Sequence, residues 1–344
     1  MSNARNIAAL STVEVGATAD QTKADLNAIG VSGGRKNLII NGGFDVSQRG
    51  SSFTVNGYGI DRWKSDAAHA SNYTIAHVTD APNGFTNSLK ITTSTVVSAP
   101  SYEFLQQPVE GSSVAHLKYG TSEAEIVSVS FMVKSSLTGV LVATLVNSSN
   151  NYSYPAPVTI NSANTWERKT VTIVGPTGGT WLTGNNVGLR LKIDLGAGSS
   201  FEGTANSWQA ADRGSLAGAI KLGATLNATL QITGVQLELG SVATDFEHRS
   251  YGEELALCQR YFETAASSHW ATLNGAANVQ YSFNPIYNFA VTKRVTPTLS
   301  LTVTAGFTYQ RIGLSVNGFD LRNTSTNQSG GSDKYVSWTA DSEL

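Results

Sequence analysis

Residues 235–262 read VQLELGSVATDFEHRSYGEELALCQRYF and set a strand beside a helix. Val235, Leu237 and Leu239 fall on one face and Gln236 and Glu238 on the other, the period-2 signature of a half-buried strand. Ser250 and Glu253 then have capping-box spacing, which satisfies orphan backbone donors at a helix start. Tyr251, Leu255, Cys258 and Phe262 follow at i, i+4, i+7 and i+11 as one apolar stripe. The stretch therefore ends one β body and begins a helix at a seam.

Upstream, from Asn37 to about Glu247, short strands and turns alternate: NLII, YTIAHV, SLKITTSTV, IVSVSFMVKS, GVLVATLVNS, RKTVTIVG, VGLRLKIDL and ATLQITGVQLELG. Eight or so strands with one apolar face each predict an antiparallel sandwich, most simply a jelly roll. Downstream, NVQYSFN, TLSLTVTAG, RIGLSVNGFDLRN and KYVSWTAD predict a smaller β unit over 265–344. No period of 20 to 50 residues recurs, which argues against a β-helix or propeller. The expected organisation is an N-terminal segment over 1–35, a sandwich over 36–248, a connecting helix over 249–264 and the C-terminal β domain. Within the first segment TADQTKADLNAIG reads as a short capped helix, too short to stand alone in water, and GVSGGRK reads as a linker.

Composition narrows the function classes. The chain has 344 residues, and charged residues make up only 14%, well under the roughly 25% of an average soluble domain. With 33 glycines, this describes turns and a neutral polar surface. A net charge of −2 gives no basic footprint for nucleic acid. The single cysteine, Cys258, excludes an intramolecular disulfide framework and sits on the apolar stripe. No run of about 18 apolar residues predicts membrane insertion, and the N-terminus lacks the apolar region of a secretory signal.

The run NLIINGGFDVSQRG, then YGIDRW, LQQPVEG, VSFMVKSS, NTWERKTVTIVGPTGGTW and ITGVQLELGSVATDFEHRSYGEELALCQRYFE resembles, in this order, a family of bacteriophage tail-fibre and related virion proteins. KRVTPTLSLT and WTADSEL resemble the small β domain that ends such proteins. The resemblance implies a homotrimer in the virion that contacts host-surface glycan, joined to other tail proteins through residues 1–35. NLIINGGFD and ITGVQLEL are also similar to the framing strands of jelly-roll carbohydrate-binding modules. There, an acidic residue at the position of Asp45 shares a structural calcium with an acidic residue near the last strand. This chain has Thr233 and Gly234 at that second place, and the alternative is that Asp45 accepts backbone hydrogen bonds in a turn.

Glycan binding without catalysis needs flat aromatic faces framed by polar side chains. Trp63, Trp166 and Trp181 belong to the framework runs and read as core packing. Trp208 lies in the polar loop SSFEGTANSWQAADRG and is the better ligand candidate. SSNNYSYPAP reads as a loop with Tyr152 and Tyr154 on one side of an extended segment and Asn151 beside them. ASSHWATLNG reads as another, carrying His269 and Trp270. Turn packing or a subunit contact explains both loops equally well. For catalysis, the five histidines show no metal spacing, and there is no nucleophile elbow or phosphate loop. Glu103, Glu110, Asp194 and Glu202 read as solvated charges. The expected function is multivalent, non-enzymatic adhesion in a tail fibre, and the rival is a structural adaptor or decoration protein of the virion.

Overall fold

A computed structural model describes the backbone of residues 35–53, 56–273, 286–303, 309–323 and 332–344. The helix expected within 1–35 and the strand NVQYSFN lie outside the described residues.

Period-2 apolar patterning builds two six-stranded antiparallel sheets packed face to face as a jelly-roll sandwich. In chain order the strands are β1 (Ser52–Phe53), β2 (Gly57–Ile60), β3 (Trp63–Ala67), β4 (Tyr73–Val78), β5 (Ser88–Thr93) and β6 (Glu103–Glu110). After the single-turn helix α1 (Gly111–Val114) come β7 (Val127–Ser135), β8 (Gly139–Asn147), β9 (Ser153–Ile160), β10 (Glu167–Ile173), β11 (Val187–Asp194) and β12 (Thr229–Leu239). The sheet orders are β1-β4-β5-β12-β7-β10 and β2-β3-β6-β11-β8-β9. Val129, Phe131, Val133, Leu145, Leu191 and Ile232 alternate inward and are buried in one continuous core. Each such side chain contributes about 1.5–3 kcal/mol relative to exposure.

Several strands depart from the half-buried expectation. All eight residues of β6 are buried, and on β12 so are Gln236 and Glu238. Their polar groups are satisfied by neighbours: Gln236 Nε2 donates to Glu238 Oε1 at 2.8 Å, and Glu238 accepts from the Thr244 backbone at 2.8 Å and its hydroxyl at 2.7 Å. The return segment 240–247 thus covers a face expected to meet solvent. NLII forms no strand; Gln107 brackets it instead, accepting from Ile40 N at 2.8 Å and donating to Ile40 O at 2.7 Å. Gly42, two residues after Ile40, admits no side chain, because a Cβ would stand 2.1 Å from the Val235 carbonyl oxygen.

Helix α2 (Tyr251–Gln259) starts at the capping box read from sequence, with Ser250 and Glu253 bonded reciprocally. Its stripe is shorter than predicted: Cys258 is buried, Tyr251 is 60% exposed, and Phe262 already belongs to the next strand. The helix instead buries Glu254, which accepts from Asn41 N at 2.5 Å. Beyond it lie β13 (Phe262–Leu273), β14 (Ile286–Asn288), β15 (Thr298–Val303), β16 (Tyr309–Leu314), β17 (Gly318–Asn323) and β18 (Ser332–Asp341). Among the described residues they form two three-stranded sheets around Phe289, Phe319, Leu321, Val336 and Trp338.

Cations and rings bind this unit to the sandwich. The Arg62 guanidinium lies 3.5 Å from the Tyr261 ring centroid and pairs with Glu343, and Arg49 lies 3.6 Å from that of Phe262. Arg260 reaches Glu110 at 2.8 Å and the Tyr261 hydroxyl donates to the same carboxylate at 2.7 Å. Arg294 donates to the carbonyls of Ser342, Glu343 and Asn185 at 2.9, 2.9 and 2.6 Å.

Candidate functional site

Four loops at one end of the sandwich and the start of strand β9 bring five aromatic rings together. Tyr119 comes from the turn after α1, Tyr152 from the β8–β9 connection, Trp181 from the segment between β10 and β11, and Trp208 from the long β11–β12 connection. Tyr154 is the fifth. It lies on β9 and is buried, so SSNNYSYPAP is only partly the loop expected, because its two prolines are accommodated in a strand at the edge of the sheet.

Trp208 is the hub. Tyr152 stacks on it at 5.6 Å between centroids and 14° between planes, and Tyr154, Tyr119 and Trp181 surround it at 5.3, 6.3 and 5.5 Å. Its indole Nε1 donates to Val174 O at 2.7 Å, so the half-buried ring is fixed by both apolar and polar contacts. The Gln209 side chain braces its loop by accepting from Thr204 N at 3.1 Å and donating to Thr204 O at 2.9 Å.

Asn147 ties two of these loops together. Its Oδ1 accepts from the backbone of Asn151 and Tyr152 at 3.0 and 3.1 Å, and its Nδ2 donates to Asn151 Oδ1 at 2.7 Å and Thr180 O at 3.2 Å. Asn151 therefore contributes its side-chain oxygen to loop structure. Gly179 has φ +83°, and a Cβ there would stand 2.9 Å from Tyr152 Cγ, so glycine serves both the turn and the ring beside it.

A cavity of about 270 Å³ opens beside the cluster. Val114, Ala115, Tyr119, Trp181 and Leu182 give it an apolar wall, and Lys118, Thr121 and Thr183 add polar groups. Lys118 pairs with Glu123 at 2.8 Å, both exposed, so the one cation of the lining is neutralised by a neighbour. Trp181 Nε1 donates to Gly178 O at 3.0 Å, while the Tyr119 hydroxyl is buried without a hydrogen-bond partner, and burial raises its pKa above the usual phenol value.

Trp208, Tyr152, Tyr154 and Asn151 thus fall in one place, while the cavity lining brings in Tyr119 and Trp181, which sequence reasoning missed or assigned to the framework. The available signal lay in turn chemistry. Lys118 and Gly120, flanking Tyr119, both adopt positive φ, and Gly178 and Gly179 precede Trp181. Trp63 is fully buried against Phe44 at 5.1 Å. His269 and Trp270 stand on β13 rather than in a loop, since the segment pairs with β18, and their side chains lie outside the described residues.

Asp45 is exposed and accepts from the side chains of Thr86 at 3.0 Å and Asn87 at 3.1 Å. Opposite it, Thr233 donates to Gly43 O at 3.4 Å. One carboxylate does not fit calcium, which takes six to eight oxygens including charged ones. Among the described residues no three His, Cys, Asp or Glu side chains are grouped to hold a metal.

The carboxylates expected in solvent are largely buried. Glu103 lies 2.5 Å from His69 Nδ1, and Glu110 is held by Arg260 and Tyr261. Asp194 accepts from the backbone of Gly196 and Ala197 at 2.8 and 2.7 Å, and burial pushes its carboxyl up to about 6. Glu202 is half-buried and pairs with Lys221 at 3.2 Å. Each has a structural partner. Among the described residues no helix is long and apolar enough to cross a membrane.

No family model matches the chain, and no curated protein matches it. Solved structures with a similar arrangement include the enzymatically active domain of tailspike protein 4 of bacteriophage CBA120, at 14% identity and TM-score 0.33 over 59% of this chain and 21% of that one. This chain therefore matches about a fifth of that tailspike domain's length. A putative sugar binding protein from Bacteroides thetaiotaomicron is similar at 13% identity and TM-score 0.36, over 59% of this chain and all of that one. The CBM22-1 xylan-binding domain from Paenibacillus barcinonensis Xyn10C is similar at 12% identity and TM-score 0.26, over 56% of this chain and 94% of that one. These likenesses concern the arrangement of strands alone.

Proposed function

We propose that the protein is a bacteriophage virion component, part of a tail fibre, that attaches the particle to a host-surface glycan without catalysis. The observation that carries this reading is the convergence of five aromatic rings, from four loops and one edge strand, beside a preformed, aromatic-lined cavity. Flat rings stack on the apolar faces of sugars, and a site built before the ligand arrives spends little free energy on ordering loops. The sequence runs that resemble tail-fibre proteins supply the setting. Residues 1–35 tie the chain to other tail proteins, 36–248 form the adhesive sandwich, 249–264 connect it, and 265–344 form the terminal β domain. Three copies per fibre and several fibres per particle turn weak single-site affinity into avidity.

The test is binding of the purified full chain to host cells and to a glycan array, repeated with Trp181→Ala, Trp208→Ala and Tyr152→Ala. Adhesion predicts glycan-dependent binding that Trp181→Ala reduces at least tenfold while the circular-dichroism spectrum stays unchanged. Binding to another virion protein with no binding to cells or glycans would establish the structural adaptor instead. Release of new sugar ends from a bound polysaccharide would overturn the non-enzymatic reading.

A further inference from the structure

We infer that the cavity beside the ring cluster selects a neutral sugar unit bearing a methyl group, either a 6-deoxyhexose or an N-acetylhexosamine. The inference rests on the adhesive reading above and deepens it. Size comes first: about 270 Å³ lies just under the roughly 300–1,000 Å³ of drug-sized ligand pockets and suits a single pyranose ring rather than a chain.

Chemistry of the lining narrows the choice. Val114, Ala115 and Leu182 present aliphatic groups beside the rings of Tyr119 and Trp181. A hydroxyl turned against them would lose its water without gaining a partner, whereas a methyl group would gain contact there. The polar groups of the lining are few: the hydroxyls of Thr121 and Thr183 and the amine of Lys118. They serve some of the hydroxyls of one ring. Charge then favours a neutral sugar: Glu123 already neutralises Lys118, the one counter-charge an acidic sugar would use, and no carboxylate lines the cavity among the described residues to attract a cationic one.

Sugar pairs that differ at the methyl group test this on the full-length protein. Titration calorimetry compares methyl α-L-fucopyranoside with methyl α-L-galactopyranoside, methyl α-L-rhamnopyranoside with methyl α-L-mannopyranoside, and N-acetyl-D-glucosamine with D-glucose. We expect the methyl-bearing member of at least one pair to bind about tenfold tighter, the scale on which an apolar pocket rejects an added hydroxyl. The winning pair identifies deoxy sugar or acetamido group. Leu182 is 39% exposed, so Leu182→Ser should fold normally and shrink that ratio toward one. Equal binding within every pair overturns the inference while leaving glycan adhesion intact. Absence of any sugar binding at millimolar concentration also overturns it, and the cell-binding assay then decides separately whether adhesion itself survives.

Discussion

Glu110 and Val114 lie four residues apart and belong to two clusters built in opposite ways. Glu110 anchors the junction between the sandwich and the C-terminal unit, where Arg49, Arg62, Arg260 and Arg294 are matched by Glu110, Glu343, Asp341 and backbone carbonyls. Val114 lines the cavity, where rings touch rings and indole nitrogens donate to carbonyls. The junction meets its charges with partners inside the chain, although Arg62 Nε is buried without a hydrogen bond. The ring cluster leaves a cavity and an unpartnered phenol. A charged network closed upon itself holds two bodies in fixed relation, whereas an incompletely covered aromatic cluster presents binding surface.

Breaking the junction carries the largest expected effect. Arg62→Leu strips a buried partner from Glu343 and removes the cation above Tyr261, which should cost about 3–5 kcal/mol as a fall in the urea midpoint. Adding Glu343→Gln to that variant should recover part of the loss, because the penalty lies in a buried carboxylate left with Arg49 as its one cation. If the double variant is as unstable as the single one, the junction acts through packing rather than charge. Trp208→Ala breaks the other cluster. The ring is half-buried and touches four others, so we expect a loss of about 2–3 kcal/mol, below the range for a fully buried tryptophan. Loss of glycan binding should accompany it.

This contrast also explains how much the sequence revealed. Strands such as IVSVSFMVKS are legible because each apolar side chain faces the core at period 2, and the helix is legible because Ser250 and Glu253 form a local motif. β6 is hard to read because its outward polar residues, Gln106 and Glu110, look solvent-facing until distant segments arrive to cover them. Beyond nearby Ser112, the partners of Glu110 are Arg260 and Tyr261, 150 and 151 residues away, and no local pattern encodes that. At the candidate site, Trp208 is legible as a tryptophan stranded in a polar loop. Trp181 and Tyr119 are not, since their place at the cavity depends on which loops meet in space.

Acid should separate the clusters. Burial raises the Glu110 pKa, but hydrogen bonds from Arg260 and Tyr261 and the charge of Arg260 outweigh it and hold the carboxyl below its ordinary value. A lowered folded-state pKa contributes stability that is present above the unfolded value of about 4.3 and lost as pH falls through the folded one. Glu110→Gln should therefore be less stable than the parent by about 2 kcal/mol at pH 7, the scale of a hydrogen bond to a charged group, and the gap should close below about pH 4. Burial pushes Glu343 the other way, so the difference between parent and variant, rather than the parent alone, reports on Glu110. Trp208→Ala should show a gap that stays constant over the same range, because no carboxylate belongs to the five rings. A gap for Glu110→Gln that is independent of pH would mean that shape, not charge, holds Arg260.

The smallest effect tests how tightly the ring cluster is fitted. Gly179→Ala places a methyl group 2.9 Å from Tyr152 Cγ and keeps a backbone φ of +83° that alanine disfavours. The backbone alone sets a cost of about 1 kcal/mol. Any further cost depends chiefly on Tyr152, which is half-buried and held by its stacking on Trp208, and then on Trp181, whose Nε1 would lie 3.1 Å from the new methyl group. If the ring swings outward, the total stays near about 1 kcal/mol and tryptophan fluorescence shifts toward the red as water reaches Trp208. If the ring is wedged, the loss approaches that of Trp208→Ala and the emission stays where it was. The first outcome marks Tyr152 as a movable cover over the hub, with the cavity wall of Trp181 and Tyr119 left in place; glycan affinity should then change less than twofold even though a ring contact has been lost.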